Sequence, residues 1–244
     1  MSVLTDALER ILICLEGHEL LGNTRFESLQ EGLTREEIDE LTAELPFRLP
    51  VEAYDLYQWG NGAWMDEEWH GKYFLGEVFL PLETAIAIYE TITQPFSEED
   101  YFPEDYSSLM EVCWGDELIN SLDGGEFSWA RKVWHPRLFP IFWAYDTTKG
   151  CHTVVGDSVQ QDTSPVLAVD FVGDDYGEYL IAYSSLTKLV QAEAECYEAS
   201  LYYESDPRYK AKDWQAFPEV WKRLSEIRRK YKDDPQRWWE APDL

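Results

Sequence analysis

The side chains with the most chemistry to offer in this chain are carboxylates set among aromatic rings. Glu98, Glu99, Asp100, Tyr101, Glu104, Asp105, Tyr106, Trp114, Asp116 and Glu117 fall within residues 94–133, together with Phe102, Phe127 and Trp129. No Lys or Arg occurs from residue 73 to residue 130. Carboxylates in such a setting suit a basic protein surface, since charge steers the encounter and buried rings carry interface energy. The ten residues named first are therefore the candidate partner-binding set. The same rings could instead pack this stretch onto the body and leave a solvated acidic face. Both readings stand at this level. So many carboxylates also keep open a hydrolase with paired acid and base. The 11 Trp likewise leave room for a carbohydrate-binding module.

Other chemistry has less support. His152 adjoins Cys151, but neighbouring strand residues point to opposite faces, so the two cannot readily share a metal. His70 stands near Asp66, Glu67 and Glu68, without the glycine-spaced loop of a calcium site. No HExxH, GxSxG, P-loop or GxGxxG motif is present. The expectation is no catalytic residue, no metal and no cofactor.

Net charge of −28 argues against a nucleic-acid backbone and against an anionic membrane surface. No apolar run is long enough for a membrane span. Asp6, Glu9 and Arg10 interrupt the apolar pattern of the first residues, unlike a secretory signal. Four scattered Cys without a CxxC pair suit reduced thiols in a cytoplasmic protein. Charge is unevenly spread. Residues 208–244 hold ten basic residues against seven acidic ones, a segment of about +3 on a body of about −31. This marks a boundary near residue 206, with a domain over 1–205 and a basic helical extension over 206–244. Lys222, Arg223, Arg228, Arg229, Lys230 and Lys232 suit docking of that extension onto the protein's own acidic body.

The elements that must position these groups follow from periodicity. Residues 3–15 form an amphipathic helix through Val3, Leu4, Ala7, Leu8, Ile11, Leu12 and Leu15. Thr34 with Glu37 makes a capping box for a second helix. A third spans residues 49–59, started by Pro50 and stopped by Gly60-Asn61-Gly62, which tolerate the left-handed backbone of a helix end. The Asn61-Gly62 pair thus reads as a cap in preference to a ligand groove. Residues 73–82 read as strand, with Gly76 at a bulge or turn, and residues 83–91 as helix. Residues 138–145, 151–155, 166–172 and 178–182 read as strands. Ser184-Ser185 caps a long helix, and residues 214–231 form the last one.

Several of these pieces in combination resemble the SUKH superfamily. They are Glu36-Glu37-Ile38 with Leu41 and Leu45, Leu49-Pro50 through Tyr54, Leu56, Tyr57 and Asn61-Gly62, Phe139-Pro140-Ile141, the strand at 151–155, and Ser184-Ser185-Leu186. The resemblance covers residues 34–200 apart from 94–133, which read as an acidic insertion. It implies an α+β fold: N-terminal helices, a mainly antiparallel sheet and a long C-terminal helix packed on it. It further implies a binding protein, not an enzyme, like the fungal cell-wall-assembly regulators and bacterial immunity proteins of that superfamily. The implied partner is a protein, with a basic toxin among the candidates.

Overall fold

The computed structural model describes residues 2–16, 29–63, 72–74, 77–93, 134–144, 150–170, 178–201 and 218–231. Helix α1 (Val3–Glu16) is followed by strand β1 (Leu29–Glu31), α2 (Arg35–Leu41), α3 (Val51–Trp59) and β2 (Gly60–Ala63). Strands β3 (Lys72–Phe74) and β4 (Glu77–Phe79) lead into α4 (Leu82–Thr93). Strands β5 (Leu138–Ala144), β6 (Cys151–Val155), β7 (Val166–Asp170) and β8 (Glu178–Tyr183) precede α5 (Leu186–Glu198) and α6 (Pro218–Tyr231). The fold is α+β. Strands β3 to β8 form an antiparallel six-stranded sheet in sequential order, and β1 pairs with β2 in a separate two-stranded ribbon.

Two expectations need correcting. Residues 73–82 are not one strand but the two arms β3 and β4, paired antiparallel, with Gly76 outside the described residues. Gly60-Asn61-Gly62 does not end α3 in a left-handed cap: Gly60 is extended (φ −165°), and the triplet continues as β2 against β1. Of the three, only Gly62 takes a positive φ, 73°. The glycines serve close approach instead of chain reversal. A Cβ on Gly62 would sit 2.2 Å from the Pro81 nitrogen, so only hydrogen fits there. Residues 145–149, 171–177, 202–217, 232–244 and all of 94–133 lie outside the described residues.

Aromatic rings fix which sheet face meets the helices. Phe79 of β4 pairs with Phe142 of β5, and its ring contacts Tyr57 and Trp59 of α3. Phe139 contacts Phe47 and Tyr89 of α4. A register shift between Pro140 and Phe142 lets both β5 phenylalanines face the same way, which strict alternation would forbid. The helix-covered face of β5 is therefore a row of rings. Leu4, Leu8, Ile11 and Leu15 of α1 join the same core, with α1 packed along α5.

The helix starts show how distant chain segments close one another. Thr34 makes its capping box with Glu37, and Ser185 Oγ accepts from Lys188 N at 3.2 Å, both as local sequence dictates. Helix α3 differs, because its N-cap is Pro50, whose side chain cannot accept a hydrogen bond. The connection between β6 and β7 supplies what Pro50 lacks. Val51 N donates to the Gln161 carbonyl (2.9 Å) and Glu52 N to the Asp162 carbonyl (3.3 Å). Arg48 and Asp157 exchange backbone bonds beside them, and Gln160 Nε2 donates to the Leu49 carbonyl.

Candidate functional site

The segment from Arg48 to Gly62 carries two buried polar side chains, and both are turned inward. Glu52 is 6% exposed, and its two carboxylate oxygens accept from Leu186 N and Thr187 N, each at 3.1 Å. These are the first amides of α5, where an anion also meets the positive end of the helix dipole. Asn61 is 5% exposed; its Oδ1 accepts from Leu82 N (2.9 Å), and its Nδ2 donates to Glu83 Oε2 (3.1 Å). Asn61 is a cap, as the sequence suggested, but for the start of α4 and not for the end of α3. One short segment thus holds the beginnings of two later helices. Asn61→Ala is expected to cost about 1–2 kcal/mol of unfolding free energy. Urea denaturation checks this, and a change within experimental error would show that Leu82 N finds another acceptor.

The ten candidate partner-binding residues, from Glu98 to Glu117, all lie outside the described residues, as does His70. His18 also lies outside them, while His135 and His152 are placed. His135 Nδ1 accepts from Arg137 N, and burial holds its pKa below the ordinary imidazole value. His152 Nδ1 is 2.7 Å from Glu77 Oε2, both side chains largely buried. Register puts His152 opposite Phe142 and Cys151 opposite Trp143, so the Cys-His neighbours do point to opposite faces. Burial raises the Cys151 thiol well above its ordinary value, which opposes a role as nucleophile. Among the described residues, no group of three or more His, Cys, Asp or Glu is arranged to hold a metal ion.

A third arrangement concerns the acidic end of α5. Glu193, fully buried, accepts from Arg228 Nε of α6 at 3.3 Å. Glu195 pairs with Lys230 and accepts from the Tyr231 hydroxyl at 2.9 Å. Glu198 takes a two-pronged bond from Arg10 of α1, both contacts 2.7 Å. The Lys230 and Arg10 hydrogen bonds hold the Glu195 and Glu198 carboxyls below the usual range. Depressed folded values mean these contacts act in full above the ordinary carboxylate pKa and are lost as pH falls through the folded ones. Leu224 and Ile227 of α6 complete a small apolar cluster with Cys196 and Leu201. Burial pushes the Cys196 thiol up to about 12. Helix α6 thus docks on the protein's own body, with Arg228 and Lys230 on α5 carboxylates.

A profile of the SMI1 / KNR4 family (SUKH-1) matches residues 32–192. The chain belongs to the SMI1/KNR4 (SUKH-1) family. No curated protein shows significant similarity to it. The SUKH-1 match opens two residues before the Thr34 cap and closes within α5. Its span includes 94–133, so its ends do not set that stretch apart. Helix α1, the carboxylates Glu193, Glu195 and Glu198, and helix α6 all fall outside the SUKH-1 match. No described helix is long and apolar enough to cross a membrane.

Sequence reading passed over Glu52, which looked like one of the polar residues spacing an amphipathic helix. A signal existed: three residues after Leu49 it sits next to Ala53 and Tyr54 on what becomes a buried face. It also passed over Glu193, Glu195 and Glu198 as a set. Acidic residues in the last turns of a helix oppose its dipole, and α5 has no basic residue in its last turn. That mismatch is the visible mark of cations supplied from elsewhere.

Proposed function

We propose that this SUKH-1 protein acts without chemistry of its own, as a cytoplasmic immunity-type or regulatory protein that contacts a basic protein partner. The observation that carries this reading is the use made of the segment from Arg48 to Gly62. Its buried polar groups, Glu52 and Asn61, are occupied in closing helices, which makes the segment a scaffold. Recognition then falls to the surface, and a chain of net charge −28 presents a surface suited to a basic partner. Family membership supports the same class, since SUKH proteins serve in immunity and in cell-wall regulation. The contact region proposed is the acidic stretch with Glu98, Glu99, Asp100, Tyr101, Glu104, Asp105, Tyr106, Trp114, Asp116 and Glu117.

Affinity capture of the full chain from its native cells at low salt tests this. The expected result is a basic protein, held at least ~10-fold more weakly by a variant with Glu98, Glu99, Asp100, Glu104 and Asp105 changed to their amides. Capture of no partner at low salt would sink the binder reading. A partner held equally by the amide variant would move the contact off this stretch.

A further inference from the structure

The carboxylates at the end of α5 are already engaged with a helix of opposite character. Helix α6 meets α5 through Leu224, Ile227, Arg228 and Tyr231, the i, i+3, i+4, i+7 spacing by which an amphipathic helix lies in a groove. Arg228 reaches the buried Glu193, Lys230 and Tyr231 hold Glu195, and Cys196 with Leu201 forms the apolar floor. Lys222, Arg223 and Arg229 of α6 face outward, exposed.

The attachment combines one buried ion pair, Arg228 with Glu193, with a small apolar patch and an exposed pair. Among the described residues, the four buried apolar residues at the contact form a cluster apart from the main core, and Tyr231 packs against both. The Lys230 side chain is 58% exposed, so its pair with Glu195 is weakened by salt. A helix of 14 residues holds little structure without its packing face. Elements with few buried contacts and exposed ion pairs open at low free energy. Both occupant and carboxylates stand outside the SUKH-1 match, as an addition at the edge of the family domain.

We propose that the C-terminal half of α5 is a docking groove for a basic amphipathic helix of a protein partner, and that α6 is its releasable internal occupant. While α6 is docked, Glu193, Glu195 and the Cys196–Leu201 floor are covered. When it leaves, the same groups accept the partner's helix in its place. This rests on the proposed basic protein partner and adds a second contact whose access α6 controls.

The full-length protein and a synthetic fluorescent peptide of residues 218–231 test this. In hydrogen exchange, α6 amides are expected to exchange at least ~100-fold faster than those in the middle of α5. That difference should widen in ~0.5 M NaCl. The Leu224→Ser/Ile227→Ser variant keeps the whole groove but loosens its occupant. It is expected to bind the peptide at least ~10-fold more tightly than the wild type, because the internal competitor is weakened. Replacing Glu195 by Gln in that variant should remove part of the gain. Exchange in α6 as slow as in α5 would overturn the proposal. So would a peptide that binds neither protein, or binds both equally. Dimers of the wild type formed by exchange of α6 would assign the groove to a second copy and overturn the partner assignment. Loss of cellular capture with peptide binding intact would instead fail the proposed function alone.

Discussion

Replacing Glu52 by Ala is expected to lower the unfolding free energy by about 2–4 kcal/mol. The carboxylate is buried, and each oxygen takes one amide from the first turn of α5. Hydrogen bonds to an ionised acceptor contribute roughly 1.5–3 kcal/mol each when removal leaves a buried donor unmatched. Two such bonds do not add fully, since the loosened turn can admit water. Ser185 stays as a local cap for Lys188 N, which limits the loss further. Glu52→Gln should fall in between. It keeps one acceptor, but turns an amide N–H2 toward one of the two backbone donors and surrenders the charge that favours the helix dipole. Denaturant unfolding of the wild type and both variants, with unchanged m-values, measures these differences. A loss below about 0.5 kcal/mol for Glu52→Ala would mean that the two amides are satisfied some other way.

Gly62→Ala is expected to be as severe or worse, by about 2–6 kcal/mol, for a different reason. The backbone at Gly62 is left-handed (φ 73°), and an added Cβ would stand 2.2 Å from Pro81 N and 2.5 Å from the Leu80 carbonyl carbon. Neither neighbour is a flexible side chain, so main chain has to move. Pro81 and Leu82 begin α4 beside Asn61, and displacing them breaks the Asn61–Leu82 bond as well. Gly60→Ala is the internal control. Gly60 is extended, and the nearest atoms to an added Cβ belong to the Leu29 side chain, at 2.7 Å, which can turn aside. Its cost should be about 1–2 kcal/mol. Thermal or denaturant unfolding of the pair decides the point: equal losses would show that the close approach at Pro81 is not what demands glycine.

Local rules in the sequence carried the Thr34 box, the Ser185 cap and the amphipathic stripe of α1, because each depends on residues within a turn or two. What escaped were the caps whose partners lie far along the chain, those of Glu52 and Asn61. Gly60-Asn61-Gly62 has the composition of a helix terminator, and nothing local distinguishes it from a strand that must pass close to Pro81. The asparagine side chain finds its partner 21 residues on, and the Glu52 carboxylate 134 residues on. The join between Gly76 and β4 was legible as a break but not as a hairpin, since aromatic residues run through both arms. Family membership was legible because it rests on a combination of such residues, whatever each one does.

The mutual closing of helix ends also bears on how the molecule reaches its fold. The first amides of α3 wait for carbonyls at Gln161 and Asp162, and the first amides of α5 wait for Glu52. Neither half of the domain can complete its helices before the other exists. Contacts so distant in sequence make assembly slow relative to a bundle of locally closed helices. During synthesis, α3 leaves the ribosome roughly a hundred residues before its acceptors, at about 5–20 residues per second, and spends several seconds unfinished. A fragment ending ahead of Asp157 keeps residues 48–62 but none of the loop that finishes α3. Such fragments should be degraded or captured by chaperones, and nonsense mutations anywhere in the second half of the domain should act as complete losses.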